Sequence, residues 1–314
     1  MLQHFIESQQ LTKSLIFSLF QRADHLRKGS HDVLKGKLLA TLFYEPSTRT
    51  RLSFESAMLK LGGQVVTTEN AKEFSSTVKG ESLEDTIRVL SSYVDAIVIR
   101  HFEEGAAKRA ADISTIPIIN AGDGKGQHPS QALLDMYTIY RELGRLEQIR
   151  IIMIGDLVHG RTVRSLSYLL GKFENIEIIF MSPENLRMCD DIKDYLNRHN
   201  VKWREETDLQ KILPEADIIY MTRIQKERMN AEEYANGKGK YVITLENLKL
   251  IKPTARILHP LPHVEEIELP IEIEQNDPRI AYFRQAENGL YIRMALLEML
   301  LNKRIKREKE TLEL

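Results

Sequence analysis

Short apolar runs alternating with amphipathic helical stretches constrain this chain more than any other feature. Leu38–Phe43, Ala96–Ile99, Ile116–Ile119, Ile151–Ile154, Ile176–Met181 and Asp217–Met221 are apolar almost throughout, as strands covered on both faces are. Arg256–Leu258 is a further strand-like run. Between these lie helical patterns. Leu15, Ile16, Leu19, Phe20 and Ala23 form one stripe, with Thr12 placed as its N-cap and Leu11 and Ile16 as a hydrophobic staple. Phe54, Ala57, Met58 and Leu61 form a second, stopped by Gly62-Gly63. Ser82, with Asp85 three residues on, opens a third as a variant capping box. Alternating strands and helices imply a parallel α/β architecture, in which ligands sit beyond the carboxyl ends of the strands. At 314 residues the chain exceeds what one core fills. The boundary is expected near Gly144, after a helix over Gln131–Leu143. The last helix, about Glu287–Leu301, runs into the charged tail Asn302–Leu314, expected to be a solvated helix end.

Composition narrows the function. Lys plus Arg is 44 and Asp plus Glu is 45, so neither nucleic acid nor an anionic membrane is an expected partner. Cations that matter must act in local clusters. The single cysteine, Cys189, allows no internal disulfide and no cysteine-based metal cage, which fits a reducing, cytoplasmic setting. The N-terminus lacks the basic start and apolar core of a signal peptide. No uncharged apolar run approaches the roughly 20 residues that cross a bilayer.

Six motifs carry chemistry. Phe43-Tyr44-Glu45-Pro46-Ser47-Thr48-Arg49-Thr50-Arg51 lies between a strand and a helix. Its hydroxyls, its first helical N–H groups and one or two guanidiniums form an anion site of the kind that holds phosphate. The alternative is a capped helix with two solvated arginines, and the density of donors at a strand's carboxyl end favours phosphate. His128-Pro129-Ser130-Gln131 opens a helix, with Pro129 at its first position. The positive helix end keeps an imidazole neutral, able to donate a hydrogen bond to a carbonyl. Ser75–Ser82 is a polar loop bearing Lys79; alone it is a surface loop. Gly155-Asp156-Leu157-Val158-His159-Gly160-Arg161-Thr162 nearly spells a P-loop, with Arg161 in place of lysine. A nucleoside-triphosphatase is therefore a competing reading. It ranks low because Asp156 would sit among phosphates and no apolar strand ends in a magnesium-binding aspartate. Met221–Arg228 and His259-Pro260-Leu261-Pro262-His263 follow strands. The first offers arginines or a basic helix start; the second is a rigid turn suited to a cis X-Pro bond.

In this order and at these distances the motifs resemble the aspartate/ornithine carbamoyltransferase family, from about Leu11 through the Ala281–Tyr291 segment and the helix after it. Ornithine members usually carry cysteine in the His-Pro-Cys-Gln and His-Cys-Leu-Pro motifs. Ser130 and Pro260 stand there in this chain, so it is similar to the aspartate branch.

The resemblance implies two domains, each a parallel-sheet α/β sandwich, with the active site in the cleft between them. Residues 1–143, completed by 286–314, would bind carbamoyl phosphate, and 144–285 would bind aspartate. Ser47, Thr48, Arg49 and Thr50 would hold the phosphate. Thr50, Arg100 and His128 would address the carbamoyl oxygen, with Gln131 near the amide. Ser75 and Lys79 would reach in from the neighbouring chain of a homotrimer, Lys79 meeting both substrates. Arg161, Arg223 and Gln225 would bind the carboxylates of aspartate, and Leu261 would touch both substrates. Glu45, Glu227 and Arg228 would help hold the domains closed. No metal or organic cofactor is implied, and a regulatory chain is one further partner the resemblance admits. One departure stands out: the family's His-Pro-Leu-Pro-Arg ends here in His263, shorter and only partly charged near neutral pH, which puts cleft closure in question. A non-catalytic relative is the other reading; against it, Arg49, Lys79, Arg100 and His128 are all present.

Overall fold

A computed structural model of the chain describes residues 2–29 and 31–302; the tail beyond Asn302 lies outside the described residues. The chain divides into two compact units. The first joins residues 1–134 to 288–314, and the second is Asp135–Glu287.

The first unit is built on four parallel strands, β1 (Leu38–Phe43), β2 (Gln64–Glu69), β3 (Ala96–His101) and β4 (Ile118–Asp123), in the order β2-β1-β3-β4. Ala40, Leu42, Ile97, Ile99 and Ile118 pack one face against Leu83 and Ile87 and against Ala106, Ala107 and Ala110 of the flanking helices. The local signals hold. The Thr12 hydroxyl caps the Lys13–Leu26 helix by accepting from the Leu15 amide, and Leu11 and Ile16 are fully buried. Ser82 accepts from the Asp85 amide at the start of the Leu83–Ser91 helix. The Thr48–Lys60 helix ends in paired bonds, Gly63 N–H to Met58 and Gly62 N–H to Leu59, both 3.0 Å, with Gly62 left-handed at φ 82°. The last part of the Tyr282–Leu301 helix joins this unit through a forked ion pair. Arg22 Nε and Nη2 meet the buried Glu298 carboxylate at 2.6 and 2.7 Å.

The second unit holds five parallel strands, β5 (Arg150–Ile154), β6 (Glu177–Met181), β7 (Lys202–Glu206), β8 (Ile218–Met221) and β9 (Arg256–Leu258), in the order β7-β6-β5-β8-β9. Ile152, Ile154, Ile179, Ile219, Met221 and Ile257 lie in its core with Leu248, Ile267 and Tyr282.

Two strands escape the apolar-run reading, β2 (QVVTTE) and β7 (KWREE). Each is an edge strand with mostly exposed or half-buried side chains. Water and charged side chains cover one side, so selection for apolar residues is relaxed there. The third expected strand, Ile116–Ile119, is β4 in the structure; it begins two residues later than its apolar run and continues to Asp123.

Gly62 and Gly144 test the turn chemistry. Both are left-handed, at φ 82° and 70°. A Cβ on Gly62 would lie 2.8 Å from Asp32 Oδ1 and 3.0 Å from Asp32 Cα, whereas one on Gly144 meets nothing within 4 Å. Gly144→Ala is expected to cost about 1–2 kcal/mol for backbone handedness alone. Gly62→Ala should cost roughly 1–3 kcal/mol more for crowding. Urea unfolding of the two variants checks the order; equal losses would contradict it.

Candidate functional site

Strand order marks two places where ligands can be held. In the first unit the sheet grows from β1 to β2 on one side and through β3 to β4 on the other. The switch therefore falls between β1 and β3, and crossovers part there, leaving a crevice at the carboxyl ends. In the second unit the switch falls between β5 and β8. The sequence places a motif after β1, β5 and β8, and β3 carries Arg100 near its carboxyl end.

At the first switch, the Tyr44 amide bonds to the Arg100 carbonyl at 2.8 Å, tying the end of β1 to β3. Ser47 takes the N-cap position with extended backbone but makes no side-chain capping bond. Its hydroxyl makes no bond back to the Thr48–Lys60 helix and lies at the positive end of that helix. Thr50 is buried; Thr48 and Arg49 are exposed. Arg51 is turned away: it reaches Glu55 at 3.3 Å and Glu69 on β2 at 2.8 Å. Of the two arginines in the motif, Arg49 is the exposed one. Arg100 leaves β3 with Nε 3.5 Å from Glu45 and Nη1 3.4 Å from the Ala121 carbonyl on β4. After β4 the chain turns into the Pro129–Leu143 helix, with Pro129 at its first position. His128 and Gln131 are both buried at this helix start, and the His128 carbonyl accepts from the Gln131 amide at 3.0 Å.

The loop carrying Ser75 and Lys79 is ordered by its own hydroxyls. Ser75 Oγ accepts from the Thr77 amide, Ser76–Lys79 makes a single 3-10 turn, and Thr86 Oγ1 donates to Glu81 at 2.8 Å. Lys79 is exposed, and so are Phe74 and Val78, at 76% and 67%. His101, next to Arg100, is buried between the rings of Tyr44 and Phe102 at 4.5 and 4.3 Å. Burial lowers its pKa, so it adds no charge to the crevice.

At the second switch, Gly155 follows β5 at φ 117° and passes so close to β8 that a Cβ would lie 2.1 Å from the Thr222 carbonyl. Asp156 is fully buried and accepts from the His159 amide at 3.0 Å, His159 Nδ1 at 3.2 Å, and the Gln225 amide and Nε2, each at 3.4 Å. It is the knot between the loop after β5 and the loop after β8. A P-loop would hold a phosphate near this position, and here a carboxylate occupies it. Arg161 is buried as the first residue of the Arg161–Leu170 helix. Arg223 forms a two-pronged pair with Glu227, one contact at 2.9 Å. That bond raises the guanidinium's pKa and lowers the carboxyl's. Arg228 closes the Lys226–Arg228 3-10 turn.

The loop after β9 is held by His259 of its own motif together with Gln285 and Glu266, to which motif reading gave no role. Leu261 is left-handed at φ 55° and precedes a cis bond to Pro262. Its amide donates to His259 Nδ1 at 2.7 Å, and the His259 amide donates to Gln285 Oε1 at 2.8 Å. His259 Nε2 lies 2.9 Å from buried Glu266, a close electrostatic contact more than an aligned bond. His263 places Nε2 3.2 Å from Glu274 Oε1, which also accepts from Tyr282 Oη.

The family model for the aspartate/ornithine carbamoyltransferase carbamoyl-P binding domain matches residues 3–141, and that for the Asp/Orn binding domain matches 147–300. The chain belongs to the aspartate/ornithine carbamoyltransferase family. It is 55% identical over 307 residues to aspartate carbamoyltransferase 1, chloroplastic, of Pisum sativum, covering 96% of this chain and 79% of that protein. The catalytic subunit of M. jannaschii aspartate transcarbamoylase is 47% identical and superposes with a TM-score of 0.86, covering 95% of this chain and 98% of that one. Aspartate transcarbamoylase from Trypanosoma cruzi, in complex with carbamoyl phosphate and aspartate, is 36% identical with a TM-score of 0.89, covering 95% and 97%.

Glu266 makes the loop after β9 acid-sensitive. Burial alone would raise its pKa, but His259 and the Glu266 and Val264 amides outweigh that and hold it below 4.5. A carboxyl depressed in the folded state stabilises fully above its unfolded pKa and loses that contribution as pH falls through the lowered value. The melting temperature should therefore fall more steeply below about pH 4.5 in the wild type than in Glu266→Gln, which starts lower at neutral pH. Parallel curves from about pH 3 to 7 would remove Glu266 from this account.

Proposed function

We propose that this chain transfers the carbamoyl group of carbamoyl phosphate to the α-amine of L-aspartate, giving N-carbamoyl-L-aspartate and phosphate, a step of pyrimidine biosynthesis. The observation that carries the reading is the pair of cation-bearing crevices, one at each switch point, in a chain whose net charge is near zero. The T. cruzi relative, bound to carbamoyl phosphate and aspartate, supports the choice of substrates.

In this reading the first unit takes carbamoyl phosphate. Ser47, Thr48, Arg49 and Thr50 receive the phosphate on the open first turn of the helix. Thr50, Arg100 and His128 donate to the carbamoyl oxygen, and Gln131 meets the amide. The second unit takes aspartate through Arg161, Arg223 and Gln225, with Leu261 touching both substrates. The neutral amine attacks the carbamoyl carbon, and a C–N bond forms. Charge developing on the carbonyl oxygen is met by donors already in place. The C–O bond to phosphate then breaks, and the departing phosphate accepts the amine proton. No metal or organic cofactor takes part. Glu45, Glu227 and Arg228 assist closure.

Ser75 and Lys79 act in a neighbouring chain of a homotrimer. The exposed lysine, directly after exposed Val78 and a few residues past exposed Phe74, supports a loop built to meet another surface. The name of the M. jannaschii relative, a catalytic subunit, keeps a regulatory chain among the candidate partners. Among the described residues no helix is long and apolar enough to cross a membrane. We place the chain in a reducing, cytoplasmic compartment, while the pea relative is named chloroplastic.

Purified protein given carbamoyl phosphate should form product with aspartate and none with ornithine. Arg223→Ala should raise the aspartate requirement by roughly 10²-fold, the cost of leaving a carboxylate without its partner. Equal turnover of ornithine would overturn the acceptor assignment.

Sharing of the site is tested by mixing. Lys79→Ala and His128→Ala should each be nearly inactive, since loss of one transition-state donor costs about 10²–10³ in turnover. In a mixed ring, a working site needs an intact body from the Lys79→Ala chain and an intact loop from the His128→Ala chain. Random reassembly at equal amounts makes that combination at about one site in four. Activity should return to roughly a quarter of wild type. If no activity returns in mixed trimers confirmed by mass, Lys79 serves its own chain.

A further inference from the structure

Among the carboxylates of the second unit that no motif announced and that the transfer chemistry leaves unused, Asp135 is the most deeply buried of those described. Asp135, in the Pro129–Leu143 helix, is fully buried. Oδ2 accepts from the Tyr220 hydroxyl at 2.7 Å and Oδ1 accepts from Gln285 Nε2 at 2.6 Å. Gln285 passes the chain on: its Oε1 accepts from the His259 amide at 2.8 Å, and His259 Nδ1 accepts from the Leu261 amide at 2.7 Å. Tyr220, Gln285 and His259 are each at most 2% exposed. Every bond in this series points the same way, donors toward the carboxylate. The polarity is set at the Asp135 end, since an ionised carboxylate can only accept. Were it a donor on the Gln285 side, the amide would turn over and present its NH₂ to the His259 N–H, donor against donor.

Both arms of the network end at elements of the second crevice. Tyr220 lies in β8, three residues before Arg223, and its hydroxyl also meets Thr162, next to Arg161. The other arm fixes the backbone around Leu261, whose φ of 55° is costly for a branched side chain and needs outside support. We propose that Asp135 is a positioning residue for the acceptor-binding half of the site, fixing through Tyr220 and through Gln285 and His259 the segments that carry Arg223 and Leu261. The inference rests on the acceptor reading above, and it assigns Asp135 no contact with substrate.

Exchanging the two ends of the central bond gives the test. Asp135→Asn alone should raise the aspartate requirement roughly tenfold, the usual effect of orphaning one buried polar group. It should also speed amide exchange at Leu261 and its neighbours while leaving the carbamoyl-phosphate requirement within about twofold. Gln285→Glu alone sets two carboxylates face to face and should be as bad or worse. The double variant Asp135→Asn/Gln285→Glu restores every bond with net charge unchanged. Its new amide accepts from Tyr220 and donates to the new carboxylate, which in turn accepts from the His259 amide. It should recover aspartate dependence and exchange protection to within about threefold of wild type. If Asp135→Asn does not fold, the comparison of Gln285→Glu with the double variant carries the same test. A group that only stabilises the fold would lower melting temperature in the single variant without altering the aspartate requirement of the folded fraction. That result, or a double variant no better than either single, overturns the proposal. Exchange rates at Leu261 are read with or without turnover. A wild type inactive toward aspartate would thus defeat the acceptor reading while the network is still judged by the swap.

Discussion

A parallel strand cannot be followed directly by its neighbour; the chain must cross back over the sheet before it pairs again. In both units the crossovers therefore return at the amino ends of the strands and leave the carboxyl ends to loops. Where winding reverses, between β1 and β3 and between β5 and β8, the loops diverge. Buried bonds then keep each pair of strand ends in register: Tyr44 N–H to the Arg100 carbonyl in the first unit, and Thr222 N–H to the Ile154 carbonyl in the second. Every arginine of the proposed chemistry hangs from one of these four strand ends or from the helix that follows it. The positions of the cations are thus a consequence of strand order, not of the loops' own preferences.

A cluster of cations is unstable on its own, and the structure answers with carboxylates placed beside them. Glu45 stands by Arg100, and Glu227 grips Arg223. Asp156 ties His159 to Gln225 and so fixes the loops on which Arg161 and Arg223 begin. The cost is competition. A substrate carboxylate approaching Arg223 must share or displace Glu227, so part of its binding energy goes into exchanging one ion pair for another. The gain is a guanidinium whose orientation is set before the substrate arrives, which is the larger effect where geometry governs rate.

Legibility follows burial and locality. Strands covered on both faces were readable from their apolar runs, and caps such as Thr12 and Ser82 from adjacent residues. The edge strands β2 and β7 were not, because half of each faces water and carries polar side chains. The donor-rich motif after β1 stands out by its density, but which of its arginines points outward does not, since Arg51 is claimed by Glu69 from a strand further along the chain. Asp135 was silent for the same reason at longer range. Its partners are 85 and 150 residues away, and a single acid inside an apolar helical stripe gives no sign of whom it meets.

His263 shows how a substitution at a motif's edge can be absorbed locally. An arginine there would bring a long side chain and a permanent charge. The imidazole instead lies 3.2 Å from Glu274 and 5.3 Å from the Tyr282 ring, inside the second unit. Without the ring, the half-buried Glu274 carboxylate would keep the Tyr282 hydroxyl and lose the imidazole contact. The side chain at this position therefore answers first to Glu274. The donor required there survives the change from guanidinium to imidazole, while the reach and the fixed charge do not.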